Sequence, residues 1–396
     1  MNVLWLAAYP HPVRTELKTH PVPWMTALAQ RIACEEDITL TIVSVSPSIP
    51  DTERFTHEGI NYIYVKVPTD KYDLLTGYQQ RIRRVQQVLK EAAIPADVVH
   101  IHGSELQYQV MAANLSAPKI LSVQGIMSEC IKVLPAWPDY RHLSWRMAEY
   151  YERQYLPKIP HFICRTHWDT AIIRQKNANA IIHQNWEMMR EPFYSPVDPD
   201  ENSTTLLYMG GLNALKGIKE LLIMYDQLVQ KEPSLRLLVT GTGNRQGLMS
   251  LIEQLGLVNI QADQIEHRGF LDASQLWQAY HEAMCLVHPS HVDNSPNSIC
   301  EAQLAGLPVV ATNVGGVSSL IEHTKTGLLS LLDPTALADA VMYLYQQPEA
   351  RQAIRIAARL IAMERHDPDS VVANTCAIYS TITRGQTAPS SHVFVS

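Results

Sequence analysis

"TLLYMGGLNALKGIKELLIMYDQLV", residues 205–229, decides the fold. A short apolar run stops at Gly210-Gly211, and a helical pattern then puts Ile218, Leu221, Leu222, Tyr225, Leu228 and Val229 on one face. A strand that leaves through glycines into an amphipathic helix is half of a βαβ unit, which predicts a parallel sheet. The pattern continues downstream: "LRLLVTG", "IEHRGF", "CLVHPS" and "PVVATNVGG" read as strands with their exits.

Upstream the same alternation fills the first half. "NVLWLAAY" (2–9), "ITLTIVSV" (38–45), "INYIYVKV" (60–67), "DVVHIHG" (97–103), "KILSVQG" (119–125), "HFICR" (161–165) and "AIIHQ" (180–184) read as strands. "PWMTALAQRIA" and "YQQRIRRVQQVLKEAA" between them are amphipathic helices. Proline and acidic residues in "EPFYSPVDPDENS" (191–203) interrupt the rhythm and mark a linker. Two doubly wound α/β domains in tandem follow: 1–192 and 203–367, then a helix over 368–384 and a frayed tail over 385–396.

Composition agrees. A chain of 396 residues, 46% hydrophobic, is long enough for two cores. A net charge of −7 argues against nucleic acid as a partner and against general binding to anionic membranes. Six scattered cysteines (34, 130, 164, 285, 300, 376), none in Cys-x-x-Cys spacing, fit reduced thiols in a cytoplasmic protein. "MNVLWLAAYP" reads as a buried strand and not a signal peptide, and no run reaches the ~20 apolar residues of a membrane span. The helices 79–90 and 139–158 carry arginines beside Trp145, Tyr150 and Tyr151. They read as packed amphipathic helices, with a peripheral membrane or polysaccharide face as the alternative.

Four stretches could carry chemistry. In "HVDNSPNSICEAQ" (291–303) a helix starts between Ser295 and Ser298, with Pro296 suited to its first position. Ser298 and Glu301 have capping-box spacing, yet free amides at that helix end could equally hold an anion. Lys216 stands at the start of the next helix of the 205–229 unit, where a cation opposes the helix dipole unless an anion offsets it. A phosphate charge at ~4 Å, with an effective dielectric of 20, would contribute roughly 4 kcal/mol before desolvation. "GTGNRQG" imitates a dinucleotide turn with the wrong glycine spacing, and Asp263 precedes the next strand instead of ending it. His100 and His102 share a strand face as a potential metal pair, but no third ligand follows.

Together these residues resemble glycosyltransferase family 4, retaining sugar-nucleotide transferases of the GT-B fold. "HPSHVDNSPNSICEAQLAGLPVVATNVGG" is similar to the family signature, "GGLNALKG" to its lysine loop, and "ADVVHIHG", "LSVQG" and "RTHWD" to its N-terminal strand ends. The resemblance implies two Rossmann-like domains facing across a cleft, acceptor-binding first and donor-binding second. It implies a UDP-sugar donor, UDP-glucose or a relative, with a GDP-sugar as the other option, and a carbohydrate or lipid-linked hydroxyl acceptor. It further implies no cofactor or metal, and a role in polysaccharide or glycoconjugate synthesis.

Its roles carry over residue by residue. Glu301 would bind the ribose. Lys216 and the amides of Ser295, Pro296, Asn297 and Ser298 would hold the diphosphate, Pro296 by its place in the turn. Asp293 stands where a glutamate usually meets the donor sugar, one methylene shorter. Gln124 replaces a histidine near the transferred sugar and cannot take a proton at neutral pH. Gly210, Gly211, Gly241, Arg268, Gly269 and Phe270 would line the nucleotide, while His102, Arg165 and Thr166 fall on the acceptor side. Two departures stand out: Gly211 replaces an arginine that is the family's second diphosphate cation, a role left to Lys216 and the helix end or to another cation such as Arg165, and "PHPVRTELKTHPVPW" (10–24) replaces a glycine-rich loop. Competing readings are an epimerase or a binding-only protein on the same fold, an NAD-dependent oxidoreductase, and a metallohydrolase.

Overall fold

The computed structural model describes residues 1–14, 22–134, 139–197, 200 and 202–385. The chain divides into two compact units, Met1–Met188 with the residues from His366 onward, and Met189–Arg365.

In the first unit β1 (Asn2–Leu6), β2 (Thr39–Ser46), β3 (Glu53–His57) and β4 (Ile60–Lys66) lead the chain. They are followed by β5 (Val98–His102), β6 (Lys119–Ser122), β7 (His161–Cys164) and β8 (Ile181–Gln184). The sheet order is β3-β4-β2-β1-β5-β6-β7-β8. Its pairs are parallel except β3, which runs antiparallel to β4. The sequence reading has no strand at 53–57. The missed signal is the two-residue turn Glu58-Gly59, both with positive φ (47° and 76°), which matches the right-handed twist of a hairpin.

The helix Pro368–Thr383 belongs to this unit and is tied to its sheet through a buried hydroxyl. Trp5 Nε1 donates to the Tyr379 hydroxyl at 3.0 Å, and that hydroxyl lies 2.6 Å from His100 Nδ1. His100 Nε2 is 2.7 Å from the Ser122 hydroxyl. Because Tyr379 accepts from the indole, its proton goes to Nδ1, and Nε2–H of His100 donates to Ser122. Burial lowers the His100 pKa to about 3, so the ring is a neutral structural link. Its two nitrogens are spent on these bonds, which removes it from the metal pair suggested by the sequence.

The second unit holds β9 (Thr205–Tyr208), β10 (Arg236–Val239), β11 (Ile265–His267), β12 (Ala283–His288), β13 (Val309–Thr312) and β14 (Leu328–Ser330). Their order is β11-β10-β9-β12-β13-β14, all parallel. The helix Ile218–Lys231 packs on this sheet through the residues its periodicity singles out, Ile218, Leu221, Leu222, Tyr225, Leu228 and Val229, all buried. Connections from β9 and β12 leave toward opposite ends of the sheet, so a crevice opens above their carboxyl ends. In open parallel sheets that switch point is where ligands bind.

The presumed linker is partly built structure. Glu191–Tyr194 is a short 3-10 helix, Arg359 holds the Tyr194 carbonyl, and Val197 N–H donates to the Ala305 carbonyl at 2.8 Å. Asp200 forms a turn, its Oδ1 accepting from Asn202 N–H at 2.9 Å. The two residues before it, and the tail from 386, lie outside the described residues. Among the described residues no helix is long and apolar enough to cross a membrane.

Candidate functional site

Lys216 follows β9 and Asp293 follows β12, so the switch point brings together residues 77 positions apart. The Lys216 ammonium lies 2.5 Å from Asp293 Oδ2, and His288 Nε2 is 3.1 Å from the same oxygen. On its far side His288 Nδ1 meets the Ser298 hydroxyl at 3.3 Å. Burial alone would raise the Asp293 pKa, but Lys216 and His288 outweigh it and hold the carboxyl far below its usual range. Asp293 is a fixed anion between two donors.

The backbone around this pair is pinned from three sides. Gly316 N–H donates to the Asp293 carbonyl at 2.9 Å, His291 N–H donates to the Leu215 carbonyl at 3.0 Å, and the Tyr208 hydroxyl donates to the Lys216 carbonyl at 3.1 Å. Lys216 does not open the helix, as its sequence position suggests. It ends the 3-10 turn Ala214–Lys216, and Gly217 (φ 79°) intervenes before Ile218. A side chain at 217 would run into the Pro289 carbonyl, its Cβ only 1.8 Å from that oxygen, so glycine is what lets the two loops meet.

Glycines 210, 211, 241 and 269 gather on the same sheet edge. Gly211 N–H donates to Thr240, Leu212 N–H to Thr242, and Gly241 N–H to Gly269. Gly211 has φ 56°, and a Cβ there would sit 2.3 Å from the Thr242 nitrogen. The family's second cation is therefore excluded by the backbone itself. Arg268 turns outward to Glu266 and Glu282, and Phe270 is 79% exposed. The "GTGNRQG" turn spends its groups internally, with Asn244 capping the helix Arg245–Gln254 by accepting from Gly247 N–H at 2.8 Å.

The helix Asn297–Ala305 starts after Pro296, and no side chain caps it. Other helices of this unit are capped by Asn244, Asp272 and Asp333. The capping box expected from Ser298 and Glu301 is absent because both side chains are engaged elsewhere. Ser298 turns to His288, and Glu301, 2% exposed, accepts a two-pronged contact from Arg190. The Glu301 pKa is raised by burial, with Arg190 opposing that shift. Ser295, Pro296, Asn297 and Ser298 thus surround a bare helix N-terminus beside Lys216 and Asp293, where amides and the helix dipole favour an anion.

In the first unit Gln124 follows β6, in a loop held by two carboxylates that sequence reasoning missed. Glu105 accepts from Gly125 N–H at 2.5 Å, and buried Glu152 accepts from Met127 and Ser128 N–H and from the Ser104 hydroxyl. Burial raises the Glu105 pKa to about 7. His102 ends β5 with its ring 3.9 Å from that of His100, and its Nε2 is buried without a hydrogen-bond partner among the described residues. Arg165 pairs with Glu187 and the Val123 carbonyl, so it is not a spare cation for the diphosphate. Thr166 caps the helix His167–Lys176 in a reciprocal box with Asp169. Arg190, His288 and Tyr208 were also missed. His288 and Tyr208 act on residues within ten positions of themselves, whereas the partner of Arg190 is 111 positions away.

Residues 190–360 match the family model for glycosyl transferases group 1. The 2-deoxystreptamine N-acetyl-D-glucosaminyltransferase of Niallia circulans is 23% identical over 306 residues, covering 72% of this chain and 76% of that protein. The chain spans about half or less of the length of several other curated glycosyltransferases that it matches. Sucrose-phosphate synthase from Thermosynechococcus elongatus shares the fold with a TM-score of 0.78 at 16% identity, over 97% of this chain and all of that one. Anabaena HepE, solved in complex with UDP and glucose, does so at 0.69 and 16%, over 96% of this chain and all of that one. The fold is GT-B, and these likenesses support a glycosyltransferase.

Proposed function

We propose that the protein is a retaining hexosyltransferase of the family 4 type that takes its sugar from a nucleotide diphosphate, a UDP-sugar in the first instance. The observation that carries this is the pairing of Lys216 with Asp293 beside the uncapped start of the helix Asn297–Ala305. A diphosphate would seat on the Lys216 ammonium and the amides at 295–298, which then stabilise charge on the leaving group as the glycosidic bond breaks. Asp293 would accept hydrogen bonds from the sugar's hydroxyls, and Glu301 from the ribose. The HepE complex with UDP and glucose supports that choice of donor.

In this reading the departing phosphate takes the acceptor's proton, so neither a protein nucleophile nor a metal is required. The first unit supplies the acceptor side through Gln124 and His102, since Arg165 and Thr166 spend their side chains within it. A carbohydrate or lipid-linked hydroxyl fits. On the helix Tyr140–Tyr155, Tyr140, Leu143 and Tyr150 are exposed, as are Arg146 and Arg153, a face suited to a membrane holding a lipid-linked acceptor. The single cation favours one runner-up, a protein that holds a nucleotide sugar without transferring it.

Replacing Lys216 and Glu301 separately with alanine tests the proposal. Each change is expected to cut UDP-sugar turnover by about 100-fold or more, the scale seen when one charge-stabilising group is lost. Near-normal turnover in both variants would remove it. Turnover is also expected to persist in chelator.

A further inference from the structure

Glu301 does not wait for a ligand alone. Arg190 Nε lies 2.7 Å from its Oε1 and Arg190 Nη2 lies 2.7 Å from its Oε2, the parallel geometry in which a guanidinium fixes the plane of a carboxylate. The pair is enclosed: the side chains are 22% and 3% exposed. Arg190 is in turn built into its place. Its guanidinium carbon stacks 4.8 Å from the centre of the Phe193 ring, Phe193 packs on Tyr280, and Arg359 holds the chain at the Tyr194 carbonyl.

An ionised carboxylate offers about four acceptor sites, and a forked arginine fills two of them. Two remain, one on the outer side of each oxygen, and because they diverge a ribose hydroxyl can be met by one of them. We infer that Arg190 is the positioning residue for the donor's ribose: it fixes the plane and charge of Glu301 so that an outward site on one oxygen accepts from a hydroxyl of the ribose diol. This rests on the reading of Glu301 as the ribose ligand. It departs from a purely structural clamp in one respect, because it makes recognition of the diol, and not only stability, depend on Arg190. A lysine there would keep the charge but lose the fork.

The test compares binding of UDP and 2′,3′-dideoxy-UDP by calorimetry, or of the GDP pair if only GDP binds. Wild type is expected to prefer the diol by about tenfold or more, as for a hydrogen bond to a charged group. Glu301→Gln and Arg190→Met should each reduce that preference to about twofold or less, and the double variant should lose nothing further. UDP affinity of Arg190→Met should also fall as pH drops from 8 to 6, because a buried Glu301 without its cation takes up a proton. Arg190→Lys should melt near wild type, flatten that pH profile, and still lack the preference. If Arg190→Met, or Arg190→Lys where Met fails to fold, keeps the diol preference while Glu301→Gln loses it, the inference falls and the ribose reading stands. No preference in wild type would overturn both.

Discussion

Asp293 and Gly211 show how one residue can redirect a site. Asp293 is short, yet it reaches both Lys216 and His288 because Gly316 N–H holds its backbone and His288 ends β12, the strand that leads into its loop. At Gly211 the conformation, more than the lost side chain, is informative. With φ 56° and the Thr242 backbone in the way, an arginine placed at 211 should fail to supply a second cation. Gly211→Arg is expected to destabilise the second unit by about 1–3 kcal/mol and to weaken UDP binding, as a strained, crowded position would. Chemical denaturation and calorimetry check this, and tighter binding in a stable variant would count against it. Lys216, Asp293 and Glu301 could be singled out in the sequence because the stretches that hold them resemble a family signature, which local spacing alone does not decide. Arg190 was not, since its partner lies 111 positions away and no local rule joins them.

Among the elements, apolar strands that leave through glycines were readable, since burial on both faces of a parallel sheet writes itself as continuous hydrophobic runs. β3 was not, because "ERFTH" alternates in exposure at a sheet edge and has only a turn to announce it. At the start of the helix Asn297–Ala305 a capping box and an anion site both stayed open for a related reason: spacing permits the box, but tertiary partners take both side chains. Neighbouring strands β7 and β8 supply a pH-sensitive element, with His161 Nδ1 3.1 Å from His183 Nε2. Burial lowers the His183 pKa to about 4 and that of His161 in the same direction. Below the ordinary histidine value the unfolded chain binds protons that the fold excludes, so stability is present above about pH 6.5 and is lost as pH falls toward 4. His183→Gln should flatten the fall of melting temperature between pH 6.5 and 4. An unchanged slope would show that this pair does not titrate as described.

For the whole molecule, two α/β units on one chain were readable from rhythm and length, but their boundaries were not. The second unit begins at Met189, ahead of the proline-rich stretch, because Arg190 and the 3-10 helix Glu191–Tyr194 are committed to it. On the proposed function, this unit grips a diphosphate through Lys216 and a bare helix end. Calorimetric titration of UDP and of uridine into wild type and Lys216→Ala tests that most directly. Wild type is expected to bind UDP at least about 100-fold tighter than uridine, in line with roughly 3 kcal/mol from charge-assisted contacts, and Lys216→Ala to lose most of this difference. Equal affinity of wild type for UDP and uridine, or an undiminished difference in Lys216→Ala, would contradict it.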